Sequence, residues 1–265
     1  MTRSLTAVAL ALSALAGIAR ADWQDELTHA PGAFPPLAPM KAHYRFGWTM
    51  FTAAEADFDI TRPKKELIRL AVTARSIGVV RSMWRMNAEH VSTISATTLR
   101  PISMVQTEVY KDETHKTKVD YSPIGVTRLH ETIPPGKDPP KTKRFDYPEI
   151  FDLHGGVQFI RTQKLTTGDN YKIVVYPSKA PYLAEAIVEG RQKVKLAGRV
   201  YNAVKVNLKL SKIVESDMSL QPHEKFKSAS VWISDDADRL LLKIEAEIAV
   251  GNVWAELEKV DLKPH

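Results

Sequence analysis

The sequence predicts a mainly β protein: an antiparallel, many-stranded sheet curled into a barrel, half-barrel or sandwich, with one main helix. Three observations carry this expectation. Apolar and polar residues alternate with period two along most of the 265-residue chain. Turn-forming clusters punctuate that alternation at short intervals. Only Tyr147–Lys164 reads as a helix of any length, and Gly155-Gly156 weakens it, since glycine is a poor helix former.

The chain opens with an address. Met1-Thr2-Arg3-Ser4 precedes an apolar run from Leu5 to Ile18, and Ala19-Arg20-Ala21 closes it before Asp22. A basic start, a short apolar run and a small-residue exit make a secretory signal peptide, cleaved between Ala21 and Asp22. The run falls short of the roughly 20 residues that a membrane-spanning helix needs. Cleavage leaves 35 basic against 31 acidic residues, a charge of +4 spread along the chain. That spread lacks the dense basic stripe of a nucleic-acid binder, so no nucleic acid is expected as partner. No later stretch approaches transmembrane length. The expected location is the periplasm or the medium of a Gram-negative-type bacterium.

Residues 22–39 hold Pro31, Pro35, Pro36 and Pro39 and read as an extended lead-in. A single β-rich domain over 40–262 follows. Its first strand candidate is His43–Met50. Ala54, Ala56, Phe58 and Ile60 then alternate with Glu55, Asp57, Asp59 and Thr61, one face buried and one wet. Ile68, Leu70, Val72 and Ala74 repeat the pattern after a turn at Arg62-Pro63-Lys64-Lys65. A helical turn is placed at Gly78–Trp84. Met86–Ser95, Ile102–Asp112, Lys116–Ser122 and Val126–Thr132 are the next strands, with a turn at Thr98–Pro101. Ile133–Arg144 has four prolines and reads as a mobile loop. Tyr171–Tyr176, Tyr182–Val194, Val200–Leu210, Ser228–Ser234, Arg239–Ile248 and Asn252–Val260 complete the set, with hairpin turns at Gly198-Arg199 and Ser234–Asp238.

The absence of cysteine excludes disulfides, thiolate metal sites and Cys nucleophiles. There is no G-x-S-x-G, H-E-x-x-H, G-x-x-x-x-G-K or G-x-G-x-x-G. The eight histidines, at 29, 43, 90, 115, 130, 154, 223 and 265, show no ligand spacing. No catalytic residue, cofactor or metal is therefore assigned. Asp235, Asp236 and Asp238 lack the glycine and distal glutamate of a calcium loop and read as a hairpin turn. Ile77–Met86 breaks the strand alternation and is rich in Met and Trp, which suits an adaptable apolar surface. Val79, Val80, Met83 and Trp84 are its candidate ligand-binding residues, as a short flap over the open side or end of the sheet. The competing expectation for the same residues is ordinary core packing.

In the C-terminal third, Val231-Trp232-Ile233-Ser234-Asp235-Asp236-Ala237-Asp238-Arg239-Leu240 resembles the WxSDDxxRxP segment of the bacterial DUF 3108 family, a domain of unknown function. Val253, Ala255 and Leu257 resemble its closing G-x-V-x-A-x-L. Thr98-Leu99-Arg100-Pro101 resembles the TLxP turn, Phe145-Asp146 the FD pair, Asp152 to Arg161 the D-x8-R helix, and Val194 to Val200 a hairpin. Tyr44 and Trp48 sit in the opening strand. Leu241 stands where the family usually has Pro, and His154-Gly155-Gly156 replaces a small-and-aromatic run. The resemblance, over roughly 40–260, implies an exported, β-rich envelope protein with no established activity. The function expected is a non-enzymatic envelope protein that binds an apolar ligand or an envelope partner, with lipid, lipoprotein or envelope glycan as candidates. A hydrolase of envelope glycans or esters and a structural envelope component remain as alternatives.

Overall fold

A computed structural model describes residues 23–36, 38–135, 139–223, 226–248 and 250–262, with only the backbone at 226–228. The proposed cleavage site at Ala21 and Asp22 lies outside the described residues. The strands are β1 (Met40–Trp48), β2 (Phe51–Lys64), β3 (Leu67–Ser76), β4 (Asn87–Ser95), β5 (Pro101–Val109), β6 (Thr114–Ser122), β7 (Gly125–Ile133) and β8 (Lys141–Phe145). After them come β9 (Ile150–Phe151), β10 (Asn170–Val175), β11 (Tyr182–Leu196), β12 (Arg199–Ile213), β13 (Leu220–Pro222), β14 (Phe226–Ser234), β15 (Leu241–Ile248) and β16 (Asn252–Leu262). Among the described residues two α-helices interrupt them: α1 (Gly78–Met83) and α2 (Leu153–Thr162).

All strands join one sheet, in the order β8-β7-β6-β5-β4-β3-β2-β1-β16-β15-β14-β12-β11-β10-β9, with β13 on β12. Neighbours are antiparallel except β9 and β10. β1 therefore sits mid-sheet, between β2 and the last strand. The sheet is not closed by hydrogen bonds, and β8 and β9 are its edges. Side chains bring its two arms together instead. Phe145 stacks on Tyr176 at 6.4 Å, the Tyr121 hydroxyl donates to the Tyr176 carbonyl at 2.8 Å, and Lys143 pairs with Glu215 at 2.5 Å. Around them Met104, Val119, Val126, Ile150, Leu183 and Ile213 form a second core.

The main core lies inside the curl. Ile60, Ile68, Leu70, Ile94, Val188, Val204, Val206 and Leu242 form one buried cluster with Phe159 and Ile160 of α2. The wet face is laced with exposed ion pairs such as Arg45–Glu258 and Arg75–Glu55, each worth at most about 1 kcal/mol.

Helix α2 is shorter than the expected Tyr147–Lys164. Pro148 and a left-handed Glu149 keep the preceding residues extended, so Ile150-Phe151 pair with β10. Asp152 then caps the helix, its Oδ1 accepting from the Gly155 N–H at 2.7 Å. The glycine pair expected to weaken the helix is what lets it dock. A Cβ on Gly155 would lie 2.8 Å from the Leu99 carbonyl oxygen, and one on Gly156 would lie 3.1 Å from Ile173 Cδ1. The loop expected over Ile133–Arg144 is also corrected: Lys141–Phe145 is strand β8, because His130 to Val126 offer it an open antiparallel edge.

The lead-in is docked. Trp23 is buried and donates to the Met218 carbonyl at 2.9 Å, and Phe34 N–H reaches the Thr162 carbonyl at 3.1 Å. Ala197 and Gly198 both have positive φ and make the β11–β12 hairpin turn.

The β14–β15 connection is the aspartate-rich turn. Asp236 Oδ1 accepts from Ser234 Oγ at 2.7 Å and from the Asp238 and Arg239 N–H groups at 3.0 and 3.1 Å. All three bonds to that oxygen lie within the turn. Asp236→Ala is expected to lower stability by about 0.5–2 kcal/mol, as for a lost cap. Thermal melting checks it. A calcium-dependent rise in melting temperature that the variant abolishes would contradict a purely structural turn.

Candidate functional site

Register in the β4–β7 arm assembles a polar stripe on the concave face. Inward residues there are apolar toward one end (Ile94, Met104, Val119, Val126) and polar or aromatic toward the other. Glu108 pairs across with His115, and Thr117 with His130. His90 Nε2 lies 3.5 Å from Glu108 Oε1, and the Tyr110 hydroxyl donates to Glu108 Oε2 at 3.3 Å. His115 meets Tyr110 edge-on at 5.5 Å and stacks on His130 at 5.5 Å and 13°. Thr117 Oγ1 and His130 Nδ1 are 2.8 Å apart, and His115 Nδ1 and Thr132 Oγ1 are 3.1 Å apart. None of these histidines was singled out by spacing, because the partners come from four strands.

The flap segment meets this stripe. α1 joins β3 to β4, and the Ile77 N–H holds it to the β2 start through the Ala53 carbonyl at 2.9 Å. Arg81 donates to the Ser76 and Met86 carbonyls and to Asn87 Oδ1, which pins the segment at its base. No residue of α1 is buried; Val79, Met83 and Trp84 are exposed and Val80 half-buried. Trp84 lies 6.0 Å from the Tyr110 ring. A ring ladder thus runs Trp84–Tyr110–His115–His130.

Burial tunes the titratable members. Glu108 is held below its ordinary value, first by the His90 imidazole 3.5 Å away, with burial opposing. His130 is held below 6.5 by burial, then by Arg128 and His115. His154, at the α2 start beside Phe58, is lowered by burial, while Asp152 pulls it back up. A histidine whose folded pKa lies below its unfolded value is harder to charge in the fold than in the unfolded chain. Its contribution is complete above about pH 6.5 and declines as pH drops beneath it. Glu108, depressed, adds a further loss below its unfolded value of 4.5. The melting temperature is expected to fall between about pH 7 and pH 5, and His154→Gln to lessen that fall. A flat profile for the unmodified protein would refute this assignment.

Among the described residues no three His, Asp or Glu side chains are placed to hold a metal ion. No helix among them is long and apolar enough to cross a membrane. An open groove of about 840 Å³ lies at the seam of the two arms, lined among others by Lys143, Lys179, Tyr182, Lys212, Glu215 and His223.

No curated protein matches the chain. A solved beta-barrel-like protein of domain of unknown function DUF1849 from Brucella abortus superposes with a TM-score of 0.57 at 8% identity, covering 87% of this chain and all of that one. A Bacteroides fragilis protein with YmcC-like fold matches with a TM-score of 0.37 at 8% identity, over 88% of this chain and all of its own. The first likeness is one of fold: a long, curled, mainly antiparallel sheet. At the level of sequence, the model of the DUF3108 family, proteins of unknown function, matches residues 42–258, and the chain belongs to that family.

Proposed function

We propose that this chain is an exported, non-enzymatic cell-envelope protein that holds an apolar ligand at the open end of its half-barrel. The observation that carries the reading is α1: an apolar helix with no buried side chain, set against an inward ring ladder. Core packing would have buried Val79, Met83 and Trp84, and they are exposed. An apolar chain lying between the flap and the Tyr110 ring would remove them from water. The polar stripe of His90, Glu108, His115 and His130 beneath would receive a polar headgroup. The signal-peptide pattern of residues 1–21 supports export, and the envelope supplies lipids and lipoproteins with such chains.

Trp84→Ala tests the reading. It is expected to weaken a long-chain fatty-acid probe while changing stability by less than about 1 kcal/mol, since the ring is half out of the fold already. Thermal melting and probe titration on the one variant separate the cases. A large loss of stability with unchanged probe affinity per folded molecule would defeat the flap.

A further inference from the structure

Three polar atoms deep in the fold lack a partner. Ser92 Oγ on β4, Asp152 Oδ2 at the cap of α2 and Gln158 Oε1 within that helix make no hydrogen bond to any described residue. Ser92 and Asp152 are wholly buried, and Gln158 is 4% exposed. Buried polar side chains are normally bonded, so three left open together call for a partner from outside the chain.

The start of α2 gathers them. A Cβ on Gly155 would stand 3.5 Å from Ile94 Cγ2, so the first turn of the helix lies on the inward face of β4. His154, one residue earlier, meets the Phe58 ring edge-on at 6.4 Å and senses the charges of Asp152 and His90. The helix start therefore spans β4 from Ile94 to His90, and Ser92 is the inward residue between them. Gln158 follows His154 by one turn on the same flank. The chamber opens on the polar stripe. The His90 side chain is 28% exposed, and beyond it stand Glu108, then Tyr110, then Trp84 of the flap segment. It is the inner end of the site assigned to the ligand.

Hydrogen-bond capacity decides what fills it. A carboxylate oxygen only accepts, a hydroxyl donates and accepts, and the Gln158 amide can turn either end to a partner. A carboxylate or phosphate head offers Asp152 no proton and adds negative charge beside Asp152 and Glu108. The cations nearby do not offset this. Arg100 is held by Glu149 and the His29 carbonyl, while Arg128 and Lys141 stand on β7 and β8, three and four strands from Ser92. An ammonium would serve Asp152 but give the Ser92 proton no acceptor. Hydroxyl groups serve all three side chains.

We infer that the chamber between β4 and the start of α2 is the headgroup subsite for an uncharged, hydroxyl-bearing lipid, whose glycerol or sugar hydroxyls bond Ser92, Asp152 and Gln158. This subsite rests on the apolar-ligand reading and specifies the head that such a ligand carries.

The test compares three compounds of one chain length at mildly alkaline pH, each displacing a fluorescent fatty-acid probe: a monoacylglycerol, an alkyl glucoside and the free fatty acid. At least one hydroxylated compound is expected to bind about tenfold or more tighter than the acid, and whichever binds tighter tells glycerol from sugar. Ser92→Ala and Gln158→Leu are each expected to reduce that preference and to leave fatty-acid affinity as it was. The melting temperature of the ligand-free variants should be unchanged or raised, since an unpartnered polar group gives way to an apolar one. Either variant suffices if the other fails to fold. Equal affinity of the acid and both hydroxylated compounds overturns the subsite and leaves the apolar-ligand reading standing. A preference that survives both variants also overturns it. Lower melting temperatures in both variants, without any preference in the unmodified protein, would give the three atoms to ordered water. Failure of all three compounds to bind rejects the apolar-ligand reading itself, and the subsite with it.

Discussion

Replacing Phe159 with Ala is expected to lower stability by about 3–5 kcal/mol, the cost of emptying an aromatic site in a packed core. Phe159 is wholly buried and packs on Phe151 at 4.7 Å, so the vacated space is walled by the helix on one side and β9 on the other. Neither wall is free to collapse. Gly155 already stands at contact with the Leu99 carbonyl, and the Asp152 cap fixes the helix start. For a domain of this size the change corresponds to a melting temperature lower by roughly 6–20 °C. Differential scanning calorimetry checks it. A drop no larger than that of Trp84→Ala would mean that α2 merely rests on the sheet, and the account of the core would fail. The contrast matters for function. The same kind of truncation, large to Ala at an aromatic, should be severe inside the curl and mild at α1, which separates the residues that hold the sheet together from those on which the proposed ligand reading rests.

Most of the long strands were legible because they have one wet face. Ala56, Phe58 and Ile60 against Glu55, Asp57 and Asp59 needed only the period, and the observed β2 alternates accordingly. The helix bounds were not, since the Pro148 and Glu149 break and the Asp152 cap compete with an apolar pattern that runs through them. The strand at Lys141–Phe145 was hidden by the prolines before it and declares itself only by pairing with β7. The flap's exposure was half legible: Ile77–Met86 breaks the alternation, but whether its apolar side chains are covered depends on neighbours far away in sequence. The ring ladder was missed for the same reason. Tyr110, His115 and His130 come together by register, not by spacing. One signal did exist: Gln106, Glu108 and Tyr110, and His115 and Thr117, occupy alternate positions that would be apolar on a strand facing an ordinary core.

Asp152 and Arg161, the two residues of the D-x8-R resemblance, lie at the two ends of one helix. Asp152 caps its start, and Arg161, which is buried, anchors its end. The Arg161 guanidinium donates through Nε to the Arg239 carbonyl at 3.2 Å, through Nη1 to the Pro35 carbonyl at 3.1 Å and through Nη2 to the Asp238 carbonyl at 2.6 Å. Arg239 returns the contact to the Arg161 carbonyl at 2.7 Å and lies 3.7 Å over the Phe34 ring. One side chain therefore ties α2, the β14–β15 turn and the lead-in together. Burial pushes its pKa down, to about 10, with Arg239 lowering it further and Asp238 and Asp236 opposing, so it stays charged at neutral pH. Arg161→Ala strands three acceptors at about 1–3 kcal/mol each and relieves the cost of burying the charge. The net expectation is a loss of about 2–4 kcal/mol, measured by urea unfolding. Arg161→Lys is expected to recover only part of it, because an ammonium lacks the planar fork that reaches carbonyls in three directions. Equal stability of the Lys variant and the unmodified protein would show that charge alone, without that geometry, fastens the helix end.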